Sequence, residues 1–288
     1  MTRFNVVAWL MLTPALLTPH AARAAESYDN CTGFITSLPA VISSEGTWCF
    51  NHDLNTTITS GQAITVATDN VVVDCNDFKL SGPAGSAATT AYGIFSFDHL
   101  NTTVRHCNIR FFYIGVGLIG ANGGGHAVED NRIQSDTNVG IWAEGDGSVV
   151  RRNSVYYIGG STQNADAIGV KTKYSVDVMD NRLSGVPATA GANGNAFGIY
   201  TSANLHGRII GNSVYNLAKN GTGLEYAIYN NDSDRITLRE NEVFGTASAG
   251  SIGLRCANAN GSAAENFVNG FAVGMLTCTD GGGNDVTP

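Results

Sequence analysis

The sequence has 288 residues, with 16 Lys and Arg against 24 Asp and Glu, a net charge of −8, and only 14% charged residues. That balance argues against nucleic acid or an anionic membrane as the general partner, since both are reached through clustered cations. Its 35 glycines follow no three-residue period, which excludes a collagen-like chain, and long helix-forming stretches are absent.

The chain opens Met1-Thr2-Arg3, continues as FNVVAWLMLTPALLTP and reaches Ala22-Arg23-Ala24. A basic start, a short apolar run and an A-x-A site predict a secretory leader over 1–24, with cleavage before Ala25. The run is shorter than the roughly 20 residues that a span requires and holds Pro14 and Pro19. No membrane span is therefore expected, and the mature protein is placed in the periplasm or the medium. Six cysteines in an exported chain predict disulfides.

Residues 25–60 read as an N-terminal cap segment. From there to 280 the chain repeats itself. One phrase returns as VVVDCNDF, TVRHCNIR, HAVEDNRI, SVVRRNSV, DVMDNRLS, RIIGNSVY, TLRENEVF and GSAAENFV. Its asparagines are Asn76, Asn108, Asn131, Asn153, Asn181, Asn212, Asn241 and Asn266, spaced by roughly 22 to 32 residues. Between them lies a second phrase, YGIFSF, IGVGLI, VGIWAE, IGVKTK, FGIYTS, YAIYNN and IGLRCA. Each repeat thus holds two short β-branched strands and two turns. One such unit cannot bury its own apolar side, but stacked units can, and an all-β solenoid of about eight coils over 61–280 follows. Equivalent asparagines would pass amide hydrogen bonds from coil to coil as a ladder. Residues 281–288 read as a flexible tail.

Equivalent positions in adjacent coils lie about 4.8 Å apart, within disulfide reach. The repeat register therefore pairs Cys75 with Cys107 and Cys256 with Cys278. Cys31 and Cys49 remain for each other.

The segment ITSLPAVISSEGTWCFNHDL, then AITVATDNVVVDCNDFKLSG and the repeats after it, resembles the right-handed parallel β-helix superfamily. That superfamily includes pectate lyases, polygalacturonases, alginate epimerases and the periplasmic NosD-like proteins. The resemblance spans about 35–280 and implies a single right-handed parallel β-helix. It implies no active site, because the polygalacturonase aspartate cluster, the Asp-Pro-His of alginate epimerases and the Trp-x-Asp-His of pectate lyases are all missing.

Several motifs reduce to the repeat. GVGLIG at 115–120 precedes another repeat and no helix, so it is no dinucleotide loop. NNDSDR at 230–235 places Arg235 where a calcium loop needs glycine and Asn241 where it needs glutamate. A looser calcium site on Asp232 and Asp234 stays open; no cofactor is otherwise required. His52, His99, His106, His126 and His206 form no close ligand spacing.

Chemistry concentrates in the second phrase. Side chains alternate along a strand. With Ile94, Val116, Ile141, Val170, Ile199, Ile228 and Leu254 inward, the outward row reads Phe95, Gly117, Trp142, Lys171, Tyr200, Tyr229 and Arg255. Two residues on, a second row holds Glu144, Lys173 and Asn231. Aromatic faces suit sugar rings, and Lys or Arg would neutralise a uronate carboxylate. Trp142, Glu144, Tyr229, Asn231 and Arg255 are the candidate substrate-binding residues. Lys171, Tyr200 and Lys173 are the candidate bases of a lyase reaction, and Glu144 could hold a metal. The expected role is an exported monomer that binds or acts on an extracellular, uronate-containing polysaccharide, lyase-type if enzymatic. The competing reading is a structural scaffold, and the sequence leaves open whether the protein is an enzyme.

Overall fold

The computed structural model describes residues 30–203, 206–232 and 235–287. The leader expected over 1–24 lies outside them. Every strand pairing is parallel, and the strands fall into three sheets of ten, eleven and ten. In chain order each turn of the solenoid visits the first sheet, the second and the third. One such turn runs Val139–Glu144, Val149–Arg151 and Ser154–Tyr156. The protein is a right-handed parallel β-helix.

Short β-branched strands form this fold because one buried side chain from each sheet meets the others on the axis. In the first sheet Ile94, Val116, Ile141, Val170, Ile199, Ile228 and Leu254 are all fully buried, and in the second sheet so are Val104, Val128, Val150, Val178, Ile209 and Leu238. Ile109, Ile133, Val155, Leu183, Val214 and Val243 complete the core from the third sheet. Each contributes about 1.5–3 kcal/mol over an exposed equivalent.

Ten successive strand triplets are present, more than the eight coils counted from the repeats. The surplus comes from the two ends. Ala40–Ile42 pairs with Gln62–Val66 and Gly46–Cys49 with Val71–Asp74, so residues assigned to a cap already lie in solenoid register. At the other end Asp285–Thr287 pairs with Phe267–Asn269, where a flexible tail was expected. Backbone groups at an open sheet edge favour such pairing even where side chains carry little pattern.

From His106 to Asn266 the corner between the second and third sheets takes only two residues. The first is left-handed in every coil from His106 (φ 51) through Asp130, Arg152, Asp180, Gly211 and Glu240 to Glu265, and Gly283 takes the same conformation in the longer corner of the last coil. That conformation costs a non-glycine residue roughly 1–2 kcal/mol, offset by the residue that follows. Asn153 donates its backbone N–H to Asn181 Oδ1 (2.9 Å) and its Nδ2 to both Asn181 Oδ1 (3.0 Å) and Val128 O (2.8 Å). The same contacts repeat through Asn131, Asn181, Asn212, Asn241 and Asn266, and Asn284 extends them by one coil.

Asn76 and Asn108 are not in this ladder. Asn131 lies three residues after buried Val128, and the residue three after Val104 is Cys107, whose N–H donates to Asn131 Oδ1 (2.9 Å). Asn108 instead begins the third-sheet strand Asn108–Arg110 and pairs with Arg132. The Cys75–Cys107 bond takes over where the amide chain stops. Cys31–Cys49, Cys75–Cys107 and Cys256–Cys278 are bonded, with Cα separations of 5.8, 4.7 and 4.9 Å, the last two as the repeat register gave them and the first as elimination left it.

Candidate functional site

The first-sheet register is set by glycine. A Cβ on Gly140 would meet Val155 Cγ1 at 2.7 Å and Gly169 O at 2.7 Å, so only glycine fits there. The chain bends at this position, Gly140 and Ile141 both face the core, and Val139 is turned outward. Repetition in each coil creates an apolar layer outside the solenoid, comprising Ile114, Val139, Ile168, Phe197 and Tyr226, packed under Tyr92, Trp142, Tyr200 and Tyr229.

Upon this layer stands the row read from alternation. Gly117 is opposite Trp142, Trp142 opposite Lys171, Lys171 opposite Tyr200, Tyr200 opposite Tyr229, and Tyr229 opposite Arg255. Lys171 Nζ sits 3.6 Å from the centre of the Trp142 ring. Tyr200 and Tyr229 stack at 5.4 Å with 24° between planes, and the Arg255 guanidinium carbon lies 4.7 Å from the Tyr229 ring centre. Beneath them Phe197 and Tyr226 stack at 5.5 Å, nearly coplanar in orientation at 3°. Phe197 and Tyr226 were missed because strict alternation turns them inward. The signal was the large apolar residue before each repeat glycine, or before Ala227 where alanine takes its place.

The second row behaves differently. Lys173 is opposite Glu144 and Ser202. Glu144 does not project as expected. It is 7% exposed, with Oε1 accepting from Trp142 Nε1 (2.9 Å) and Oε2 from the Gly120 N–H (2.9 Å). The strand ends there at left-handed Gly145, and the side chain folds back to satisfy two donors. Glu144 thus fixes the indole edge. Asn231 accepts from the Tyr229 hydroxyl at 2.8 Å.

Charge completes the picture. Burial pulls the Lys171 ammonium below the ordinary lysine value, with Glu144 opposing and Lys173 adding to the effect. Lys173 is half-buried and held above its ordinary value by the Tyr174 hydroxyl. Burial raises Tyr200, helped by Tyr229, Asp232 and Asp166, and it raises Tyr229 against the pull of Arg255. A tyrosine so raised is a neutral hydrogen-bonding group at ordinary pH. Asp166 was not foreseen; its Oδ1 accepts from Asn195 N (2.7 Å) and Nδ2 (2.9 Å), which anchors the loop entering the face. Asp232 accepts from the Ala203 N–H, and Asp234, its expected calcium partner, lies outside the described residues. Among the described residues no group of three or more His, Cys, Asp or Glu is placed to hold a metal.

No protein-family model matches the chain, and no curated protein matches it. Among solved structures the chain is similar to the A-module of a mannuronan C-5 epimerase of Azotobacter vinelandii. The two share 12% identity over 86% of this chain and 87% of that one, with a TM-score of 0.49. Among the described residues no helix is long and apolar enough to cross a membrane.

Proposed function

We propose that this chain is an exported β-helix that binds an extracellular, uronate-containing polysaccharide along its first sheet, with lyase-type chemistry at Lys171 if it is an enzyme. One observation carries the reading: aromatic and cationic side chains stand in a single unbroken register from Trp142 to Arg255. In that row Lys171 is partly desolvated and enters none of the ion pairs among the described residues. A carboxylate laid between Trp142 and Tyr200 would supply the missing counter-charge, and the flanking rings would take sugar faces. Export fits the three disulfides, which persist in oxidising compartments.

A second reading, a structural scaffold, is favoured by the internal satisfaction of the same row. Trp142 is spent on Glu144, and Tyr229 on Asn231 and Arg255. The deciding experiment incubates purified mature protein with uronate and neutral polysaccharides, with and without calcium. Binding, ultraviolet absorbance from unsaturated uronates and chain length are followed. Binding of uronate polymers that is lost in a folded Lys171→Ala/Tyr200→Ala variant supports the first reading; an absorbance rise adds lyase activity. Binding to nothing in the panel favours the scaffold.

A further inference from the structure

Concave spaces lie on and beside the third sheet. A cavity of about 420 Å³ is lined by Tyr156, Tyr157, Arg182, Ser184 and Tyr215 with Ser154 and Val155 at its base. Tyr156, Ser184 and Tyr215 are consecutive register partners, as are Ser154 and Arg182. Arg182 donates from Nε to the Tyr215 hydroxyl (2.6 Å), and its guanidinium carbon lies 5.3 Å from the Tyr215 ring centre. The arginine is thereby held in place without being neutralised. None of the ion pairs among the described residues includes Arg182, nor Arg132 two coils away in the same row, nor Arg110 in the neighbouring row.

Tyr157 holds the left-handed corner place that Phe111, Ser135, Gly185 and Asn216 hold in other coils. It is left-handed (φ 57) and 67% exposed, a costly place for a bulky ring. Its ring lies over Gly185 in the next coil, where a Cβ would approach Tyr157 Cδ1 to 3.1 Å, and edge-on to Tyr156 at 5.7 Å. It forms the wall between the first cavity and another of about 260 Å³ that includes Ser135, Thr137 and Gly159. There Thr137 Oγ1 is shielded from solvent and has no hydrogen-bond partner.

We propose that the third sheet holds a second saccharide site, for an acidic oligosaccharide, in which Arg182 takes a carboxylate and Tyr157 and Tyr215 flank the sugar rings. The guanidinium fork matches a carboxylate bidentately, and a positioned ring beside it is suited to a sugar face. The surrounding hydroxyls of Ser154 and Ser184 suit a hydroxyl-rich ligand. A nucleic acid is disfavoured by the net charge of −8. This site does not depend on the first-sheet reading.

The test is calorimetric titration of the full mature chain with a uronate oligosaccharide, its carboxyl-reduced counterpart and single-stranded DNA. Arg182→Gln is expected to weaken the acidic oligosaccharide about tenfold, the loss that follows removal of a charge-assisted hydrogen bond. The same substitution leaves the reduced oligosaccharide unchanged. Tyr157→Ala weakens both. Lys171→Ala/Tyr200→Ala leaves the Arg182-dependent binding intact, so one site can fail while the other stands. Wild-type affinity in folded Arg182→Gln, no saccharide binding by the wild type, or Arg182-dependent binding of DNA in place of saccharide would each overturn the proposal.

Discussion

The first and second sheets share one backbone register and present opposite surfaces. On the second sheet Asp74, Arg105, Glu129 and Arg151 are successive register partners, so the sign of the charge alternates coil by coil. Arg105 meets Asp74 at 2.7 Å, Arg151 meets Glu129 at 2.6 Å, and the adjacent corner adds Arg152–Asp130 at 2.7 Å. On the first sheet the matching row runs Trp142, Lys171, Tyr200, Tyr229 and Arg255, with no acid opposite the lysine. A parallel stack brings like side-chain positions together, so it must either alternate charge or dilute it with rings. The second sheet closes its own account of charge, whereas the first leaves cations unanswered.

Breaking the self-satisfied region should have the largest effect. Asn181→Ala removes the acceptor of Asn153 N and Nδ2 and the donor to Val150 O, all buried. A loss of about 3–5 kcal/mol is expected in denaturant unfolding, since each orphaned group costs about 1–3 kcal/mol. A loss below 1 kcal/mol would show that the corner does not need its ladder.

Acid probes the same region more gently. His126 opens the second-sheet strand of its coil, 2% exposed, with Nδ1 accepting from the Thr102 N–H (3.2 Å). Burial, assisted by His99, pushes it down to about 4 from 6.5. Its folded value lies below its unfolded one, so the unfolded chain binds the extra proton between them. Stability should therefore fall as pH drops from 6.5 to about 4, by about 3 kcal/mol in total, and this step should vanish in His126→Asn. Parallel unfolding curves of the two proteins across that window check it.

The first sheet should answer to ligand more than to denaturant. Lys171→Ala/Tyr200→Ala is expected to reduce uronate-polymer binding at least tenfold, about 1.4 kcal/mol, with a smaller loss of stability than Asn181→Ala as the Tyr200 ring leaves Phe197 and Tyr229. The smallest contrast is the sharpest. Arg151→Met, which strips a paired cation, should cost up to about 1 kcal/mol. Lys171→Met, which strips a desolvated and unpaired one, should be neutral or stabilising by about 0.5 kcal/mol at neutral pH. With Lys171 depressed in the folded state, wild-type stability should rise as pH climbs through that value toward the ordinary lysine range.

What could be read from the sequence follows from which signals are periodic. The glycine of the second phrase fixed the parity of Ile141, Val170 and Ile199, and hence the row of Trp142, Lys171 and Tyr200. The residue ahead of that glycine, or of Ala227 in its place, as in Phe197 and Tyr226, faces outward because the strand bends, and alternation cannot register a bend. Asn108 was misplaced because an asparagine adjacent to Cys107 imitates the ladder residue; counting from buried Val104 would have corrected it. Glu144 has the expected parity, but parity does not reveal that a strand-end carboxylate will fold back onto Trp142. The Tyr157–Arg182–Tyr215 cleft escaped notice because it draws on three coils and a left-handed corner, a juxtaposition with no one-dimensional trace.

The positions of the disulfides bear on how the molecule comes apart. A stack whose coils touch only their neighbours melts like a zipper, fraying inward from whichever end opens first. Cys31–Cys49 and Cys75–Cys107 tie the first coils, Cys256–Cys278 ties the last ones, and the run from Val128 to Leu238 has none. The cross-links sit at the two places where fraying begins, so the coils that display Trp142, Lys171 and Tyr200 are protected without being cross-linked themselves. In a reducing medium the protein should become a protease substrate from its ends, with the middle coils the last to be cut.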